Sequence, residues 1–512
     1  MPEIALEMKN ITKRFPLVVA NDKVNFKVYK GEIHALVGEN GAGKSTLMSI
    51  LYGLYQADSG QIFVNEKKVK IANPNVAINL KIGMVHQHFM LVPPLTITEN
   101  IILGMEPIKS KLFVDIEKAS NRVKEIAETL NFKIEPNTKI ENISVGIQQR
   151  VEIIKVLYRG AEILVMDEPT AVLTPQEVEE LFEILRELKK EGKTIIFITH
   201  KLNEVKALSD RITVMRGGKV VGVKNTEDTN QEEIANMMVG RKVLLEVDKK
   251  EHKFGKTVLK VNKLNALNSK KLPALKEISF EIREGEILGI AGVEGNGQTE
   301  LVEVITGLRP ASGGKILLYD KDITNYSPRS IREDKIAHIP EDRRKRGIIL
   351  EFTVAENLIL GNHYRSPFSK GLNLNFTAIN KHANNLIKNF DIRPSDKENL
   401  LKSLSGGNQQ KVIVARELYG EPKLLIAAQP TRGLDVGSIE FVHRQILKER
   451  DKGKAILLIS ADLEEILSLS DRIAVIYEGK IVKILDPKKT DEKELGLLMT
   501  GSTANKKLLK VK

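Results

Sequence analysis

The feature that most constrains this chain is that it contains the same pattern twice. The stretch GEIHALVGENGAGKSTL, residues 31–47, returns as GEILGIAGVEGNGQTEL at 285–301, which sets Gly38 on Gly292 at an offset of 254 residues. The offset is still 254 at Gln87 and Glu341. It grows to 257 at Asn100 and Asn357 and to 261 at Pro169 and Pro430. A slowly drifting offset means loop insertions in a common fold, so the 512 residues predict two copies of one domain rather than one large core.

Each copy opens on an alternating stretch, VNFKV or ISFEI, followed by a short apolar run, a glycine-rich turn and an amphipathic helix. Period two changing to period 3.6 across a glycine turn predicts an α/β core built on strand-loop-helix units. Between Gln87 and Ser144 the spacing turns helical. Ile116, Ala119, Val123, Ile126 and Leu130 share one face behind Asp115 as an N-cap, which predicts a helical subdomain inserted into that core. The expected boundaries are a first domain at 1–241, a charged linker at 242–256, a second domain at 257–500 and a basic tail at 501–512.

The first copy carries recognisable chemistry. Gly38, Glu39, Asn40, Gly41, Ala42, Gly43, Lys44, Ser45 and Thr46 follow the apolar run IHALV and open the helix TLMSILYGL. In that setting the pattern G-x-x-x-x-G-K-[ST] is a phosphate loop. Its glycines let backbone N–H groups surround phosphate oxygens, Lys44 reaches the β- and γ-phosphates, and the Ser45 hydroxyl suits Mg²⁺. ILVMDEP at 163–169 is a strand ending in two carboxylates, with Asp167 the metal-side candidate and Glu168 the general base. His86 and His88 flank Gln87 on a loop with no third ligand in view, so no metal centre is expected there. Met84 and Met90 are expected to be packing residues.

Composition narrows the setting. Apolar residues make up 42% and charged residues 29%, enough for large buried cores, and there is no Cys, which excludes disulfides and thiolate metal sites. The start MPEIALEMKNITKRF lacks a signal-peptide pattern, and the longest apolar runs, AEILVM and AILLIS, are strand-sized, so any membrane work is expected to need separate membrane subunits. A net charge of +12 invites nucleic acid, but the charge is dispersed and no nucleic-acid motif accompanies it, so no nucleic-acid partner is expected.

The order of phosphate loop, Gln87, ISVGIQQR, the Asp167-Glu168 pair and His200 resembles that of ABC ATPases, over essentially the whole chain and twice. The resemblance implies two P-loop NTPase domains that bind ATP and Mg²⁺. It makes Gln87 the residue that senses Mg²⁺ and the membrane partner, stacks Phe15 on adenine and sets His200 against the γ-phosphate. It also implies head-to-tail pairing, with the first loop completed by Ser405, Gly406, Gly407, Asn408 and Asp435 of the second copy. The other pairing is depleted. Lys44 becomes Gln298, Asp167 becomes Ala428, Glu168 becomes Gln429 and His200 becomes Ala461, while Val145 stands at a glycine position of the opposing motif. One hydrolytic site and one site that binds weakly or structurally are expected, since losing a general base alone forfeits ~10²–10⁴ in rate.

Two fused ATPase domains resemble the engines of bacterial sugar and nucleoside importers. HQHFMLVPPLTITENIILG, SVGIQQRVEI and AAQPTRGLDVGSIEF are most similar to the nucleoside branch, whose receptors are basic membrane lipoproteins. That implies two transmembrane permease subunits, an extracellular lipoprotein receptor, a peripheral place on the cytoplasmic face of the membrane and one copy of this chain per transporter. Ribose or galactose import is the alternative, although sugar-branch relatives keep an Asp-Glu pair where Ala428 and Gln429 stand. A ribosome-associated ATPase fits less well, because that class has a long charged linker and two intact sites. The run Asp342–Gly347, DRRKRG, is expected to be a solvated loop, with contact to a permease or a phosphate as the alternative.

Overall fold

The computed structural model describes residues 2–16, 18–86, 89–109, 113–130, 132–170, 173, 175–242, 249, 253–293, 295–499 and 501. The chain divides into two compact units, residues 1–243 and 244–512.

In the first unit the runs Ile33–Gly38, Ile163–Asp167 and Thr194–Ile198 are buried from end to end. Continuous apolar strands of this kind belong in a parallel sheet covered on both faces. They form one, in the order Ile82–Val85, Ile163–Asp167, Thr194–Ile198, Ile33–Gly38, Arg211–Arg216, Lys219–Asn225, with the last strand antiparallel. Side-chain alternation splits the sheet between two cores. Ile163, Val165, Ile196 and Ile198 pack with Leu6, Met8 and Phe26 of a four-stranded antiparallel sheet. Leu164, Met166, Ile195 and Phe197 pack with Val123, Ala127 and Val151 of the helical insertion. The parallel register brings Leu36, Asp167 and Ile198 level, so the loops that follow these strands leave the sheet on one edge.

The insertion is helical as expected, with helices Ile97–Ile102, Ile116–Thr129 and Val145–Tyr158. Asp115 caps the second of these by accepting the Lys118 N–H at 3.0 Å, and Ala119, Val123 and Leu130 are buried. Ile116 departs from the expected face and is 40% exposed, since as the first helical residue it lies a turn short of the packed stripe.

The second unit repeats this order strand for strand: Ile336–Ile339, Leu424–Ala428, Ala455–Ser460, Ile287–Ala291, Arg472–Tyr477, Lys480–Leu485. The equivalent helices Ile97–Ile102 and Val354–Ile359 each begin with a capping box, Thr96 with Glu99 and Thr353 with Glu356. Lys249, placed in the expected linker, pairs with Asp471 at 2.9 Å and donates to the Ser470 carbonyl, which makes it part of the second unit. The tail beyond Gly501 lies outside the described residues. No helix among the described residues is long and apolar enough to cross a membrane.

Candidate functional site

The first phosphate loop is shaped by two glycines that nothing larger can replace. A Cβ on Gly38 would collide with the Met215 carbonyl, and one on Gly43 with the Ala20 carbonyl; Gly43 also sits at φ +96°. Gly43 is the N-cap of the helix Lys44–Leu51 and offers no side-chain acceptor, so the first-turn amides face the loop uncapped. Asn21, buried, braces the turn by donating to the Gly43 carbonyl at 3.1 Å.

Lys44 folds back over the loop. Its ammonium donates to the carbonyls of Gly38 at 2.7 Å and Glu39 at 3.1 Å, and the residue is only 6% exposed. Burial pushes its pKa down, against the opposing pull of Glu168, Asp167 and Glu39. Asp167 ends the strand Ile163–Asp167 and accepts a hydrogen bond from Ser45. Burial and then the Glu168 charge raise its pKa, outweighing Ser45 and Lys44. Glu168 turns off the strand at φ 47°, a left-handed backbone that a non-glycine residue holds at a cost of about 1–3 kcal/mol. Its N–H donates to the Ile198 carbonyl at 3.0 Å, and its Oε1 lies 3.0 Å from His200 Nδ1. Burial opposes ionisation of Glu168, but His200, Lys44 and Lys201 outweigh it and hold the carboxyl below its usual range. The fold thus gathers Lys44, Ser45, Asp167, Glu168 and His200 around one loop: a desolvated cation, a hydroxyl-acid pair and a carboxylate oriented by an imidazole. Such a set has the chemistry to hold a triphosphate and to orient a water beside it.

Phe15 ends its strand 39% exposed and meets Tyr55 edge to face, with ring centroids 5.6 Å apart. Gln87 and His88 lie outside the described residues. Met84 is buried as expected, whereas Met90 is 63% exposed and so is not a packing residue; its backbone N–H instead binds Glu152 Oε1 at 2.9 Å.

The second unit keeps the backbone of this site and loses its charges. Gly297 sits at φ +108°, and Gln298 Nε2 donates to the Val293 carbonyl at 3.0 Å, much as Lys44 donates to Glu39. Ala428 ends the equivalent strand. Gln429 holds the same φ of 47°, and its Oε1 accepts the Ala461 N–H at 3.1 Å. Glu341 is occupied by Thr299 at 3.2 Å and Arg432 at 3.1 Å.

The two Ser-capped helices differ in the same direction. Ser405 caps Gly406–Tyr419, with Asn408 Nδ2 donating to its hydroxyl at 3.0 Å, and Gly407 packs against Ser438 and Asp435. Asp435 in turn caps its own helix through the Ser438 N–H at 2.7 Å. In the first unit Ser144 caps Val145–Tyr158, but a Cβ on Gly146 would collide with the Glu177 carboxylate. An acid lies against each turn, and the difference between them is that Glu177 stands beside Gly146 where Ser438 stands beside Gly407. Glu177, Tyr55 and Asn21 escaped the motif reading; setting Ser438 on Glu177 at the 261-residue offset was the available signal for the first of them.

A duplicated α/β core with a phosphate loop, a strand-end acid pair and a Ser-capped glycine turn defines a class, and the ABC transporter family profile matches residues 21–171 and again 275–432. The chain belongs to that family, as an ATP-binding and ATP-hydrolysing subunit with two cassettes. It is 51% identical over 503 residues to the nucleoside import ATP-binding protein of Lactococcus lactis subsp. cremoris, covering 98% of this chain and 99% of that one. It is 52% identical over 501 residues to the guanosine import ATP-binding protein of Bacillus subtilis, covering 98% of each. Among solved structures, the archaeal ribosome recycling factor in complex with a ribosomal stalk protein shares the fold, with a TM-score of 0.62 at 22% identity over 93% of this chain and 90% of that one.

Proposed function

We propose that this chain powers nucleoside uptake through separate membrane permeases, hydrolysing ATP at the first loop and not at the second. The observation that carries the reading is near full-length identity of about half to two nucleoside-import ATP-binding proteins, together with a complete catalytic set on the first loop. ATP phosphates take the uncapped amides of the Lys44 helix and its ammonium. Ser45 and Asp167 suit Mg²⁺, since their hydroxyl-carboxylate pair is already assembled and the acid is one whose charge burial disfavours; when bound, the ion offsets phosphate charge. Glu168 takes the proton of the attacking water while His200 holds its carboxylate. The family resemblance gives Gln87 the sensing of Mg²⁺ and of the permease, sets Phe15 on adenine, and has Ser405, Gly406, Gly407, Asn408 and Asp435 complete the site. The partners are two permease subunits and an extracellular lipoprotein receptor, with one copy of this chain at the cytoplasmic face.

The test is uptake of labelled guanosine, inosine, ribose and galactose by cells lacking the chain, restored with wild type or Lys44→Ala. Selective loss of nucleoside uptake, rescued by wild type alone, is expected. Loss of sugar uptake instead would move the substrate to monosaccharides.

A further inference from the structure

Glu204 is a buried acid that the hydrolytic chemistry above does not use. It is 7% exposed, in the first turn of the helix Leu202–Leu208, where a carboxylate is costly unless it is paired and hydrogen-bonded. Its partners are the two chain neighbours of His200. Thr199 donates its hydroxyl to Glu204 Oε2 at 2.9 Å, and the Lys201 ammonium lies 3.2 Å from Glu204 Oε1. The Lys201 N–H closes the ring by donating to the Thr199 hydroxyl at 3.0 Å. One acid therefore grips the chain on either side of the imidazole whose Nδ1 meets Glu168. Lys201 also reaches the opposite turn: its ammonium is 3.5 Å from the carbonyl of Thr170, two residues beyond Glu168.

Stability does not explain a lysine at this position. Lys201 is the N-cap of Leu202–Leu208 and makes no side-chain cap bond, where Asn, Asp or Ser would. It also sets a cation at the positive end of the helix dipole. The ion pair does not offset this, because the lysine side chain is 45% exposed and pairs of that kind contribute little. The second unit makes the ordinary choice. Its equivalent residue, Asp462, caps its helix by accepting the N–H groups of Glu464 at 3.0 Å and Glu465 at 3.3 Å. There Ala461 replaces His200, and the equivalent buried acid, Glu465, is taken up by Thr431 and His443, each at 2.8 Å. The uncapped lysine accompanies His200 and the proper cap accompanies its loss, as expected where a local rule is broken for function.

We propose that Glu204 and Lys201 are positioning residues for ATP hydrolysis, fixing His200 against Glu168 by tying the turn after the strand Thr194–Ile198 to the turn after Ile163–Asp167. This rests on the reading of Glu168 and His200 as part of the hydrolytic site. Neither positioning residue holds ATP. They act through the imidazole and the carboxylate, and a misplaced catalytic group costs rate rather than substrate binding.

Steady-state hydrolysis by the purified full-length chain is measured as a function of ATP, beside the thermal midpoint of the nucleotide-free protein, for wild type, Lys201→Asn, Lys201→Arg, Thr199→Val, Thr199→Ser and Lys44→Ala. Lys201→Asn gains a helix cap, so its midpoint should rise while kcat falls about tenfold and KM stays within about twofold. Thr199→Val should lower kcat similarly, and Lys201→Arg and Thr199→Ser should recover part of the loss. A merely structural role would move stability and activity together, so opposite signs at one position support positioning. Wild-type kcat in Lys201→Asn and Thr199→Val would overturn the proposal, as would a loss that lies in KM alone. A Lys44→Ala enzyme as active as wild type would instead sink the hydrolytic reading itself.

Discussion

Asp167 shows how the site trades stability for chemistry at the scale of one residue. Its folded pKa lies above its unfolded value, so the native state holds the proton more tightly and stability is lost as pH rises through the usual carboxylate range. At neutral pH, Asp167→Asn removes that cost. The nucleotide-free variant should unfold at a higher temperature, by about 2–4 °C for each kcal/mol recovered, with the gain disappearing below pH ~4 while hydrolysis is lost. Calorimetry at pH 7 and pH 4 checks this, and a lower midpoint at pH 7 would refute it. Lys44, Asp167 and Glu168 were legible in the sequence because each belongs to a contiguous motif. Glu177 was not, because Gly146 meets it across 31 residues of chain, and only the fold closes that distance.

At the scale of elements, the strand-loop-helix units and the inserted helices could be read from periodicity, down to the Asp115 cap. Sheet order could not. Ile33–Gly38, Ile163–Asp167 and Thr194–Ile198 are all short apolar runs, and nothing local says which pairs with which. The capping boxes hold the entry to the helical insertion in both units, where the hydroxyls of Thr96 and Thr353 each accept the N–H of the Glu three residues on and their own N–H donates to that Glu carboxylate. Thr353→Ala should therefore cost about 0.5–2 kcal/mol, seen as a lower midpoint for the second unit in urea. A change in the slope rather than the midpoint would mean that the cap does more than close its own helix.

For the molecule as a whole, the duplication was the clearest message of the sequence, and the structure adds how selectively the copies diverged. Charge was removed from the second loop while its hydrogen bonds were rebuilt with amides: Gln298 to the Val293 carbonyl, Gln429 to the Ala461 N–H. The second loop should then contribute little to turnover. Gln298→Ala is expected to leave kcat within about twofold, whereas Lys44→Ala should abolish it. Phosphate release from the full chain distinguishes these outcomes, and a large loss in the glutamine variant would mean that both loops hydrolyse.

The left-handed turn at Gln429 carries one more implication. A glutamine there gains nothing catalytic from φ 47°, yet the second unit still bears that strain, as the first does at Glu168. The two units share this backbone turn and differ in the side chain on it, so an acid-bearing second loop is a matter of point substitutions on a backbone already in place. A gene of this kind can cross between one-engine and two-engine forms without refolding either half.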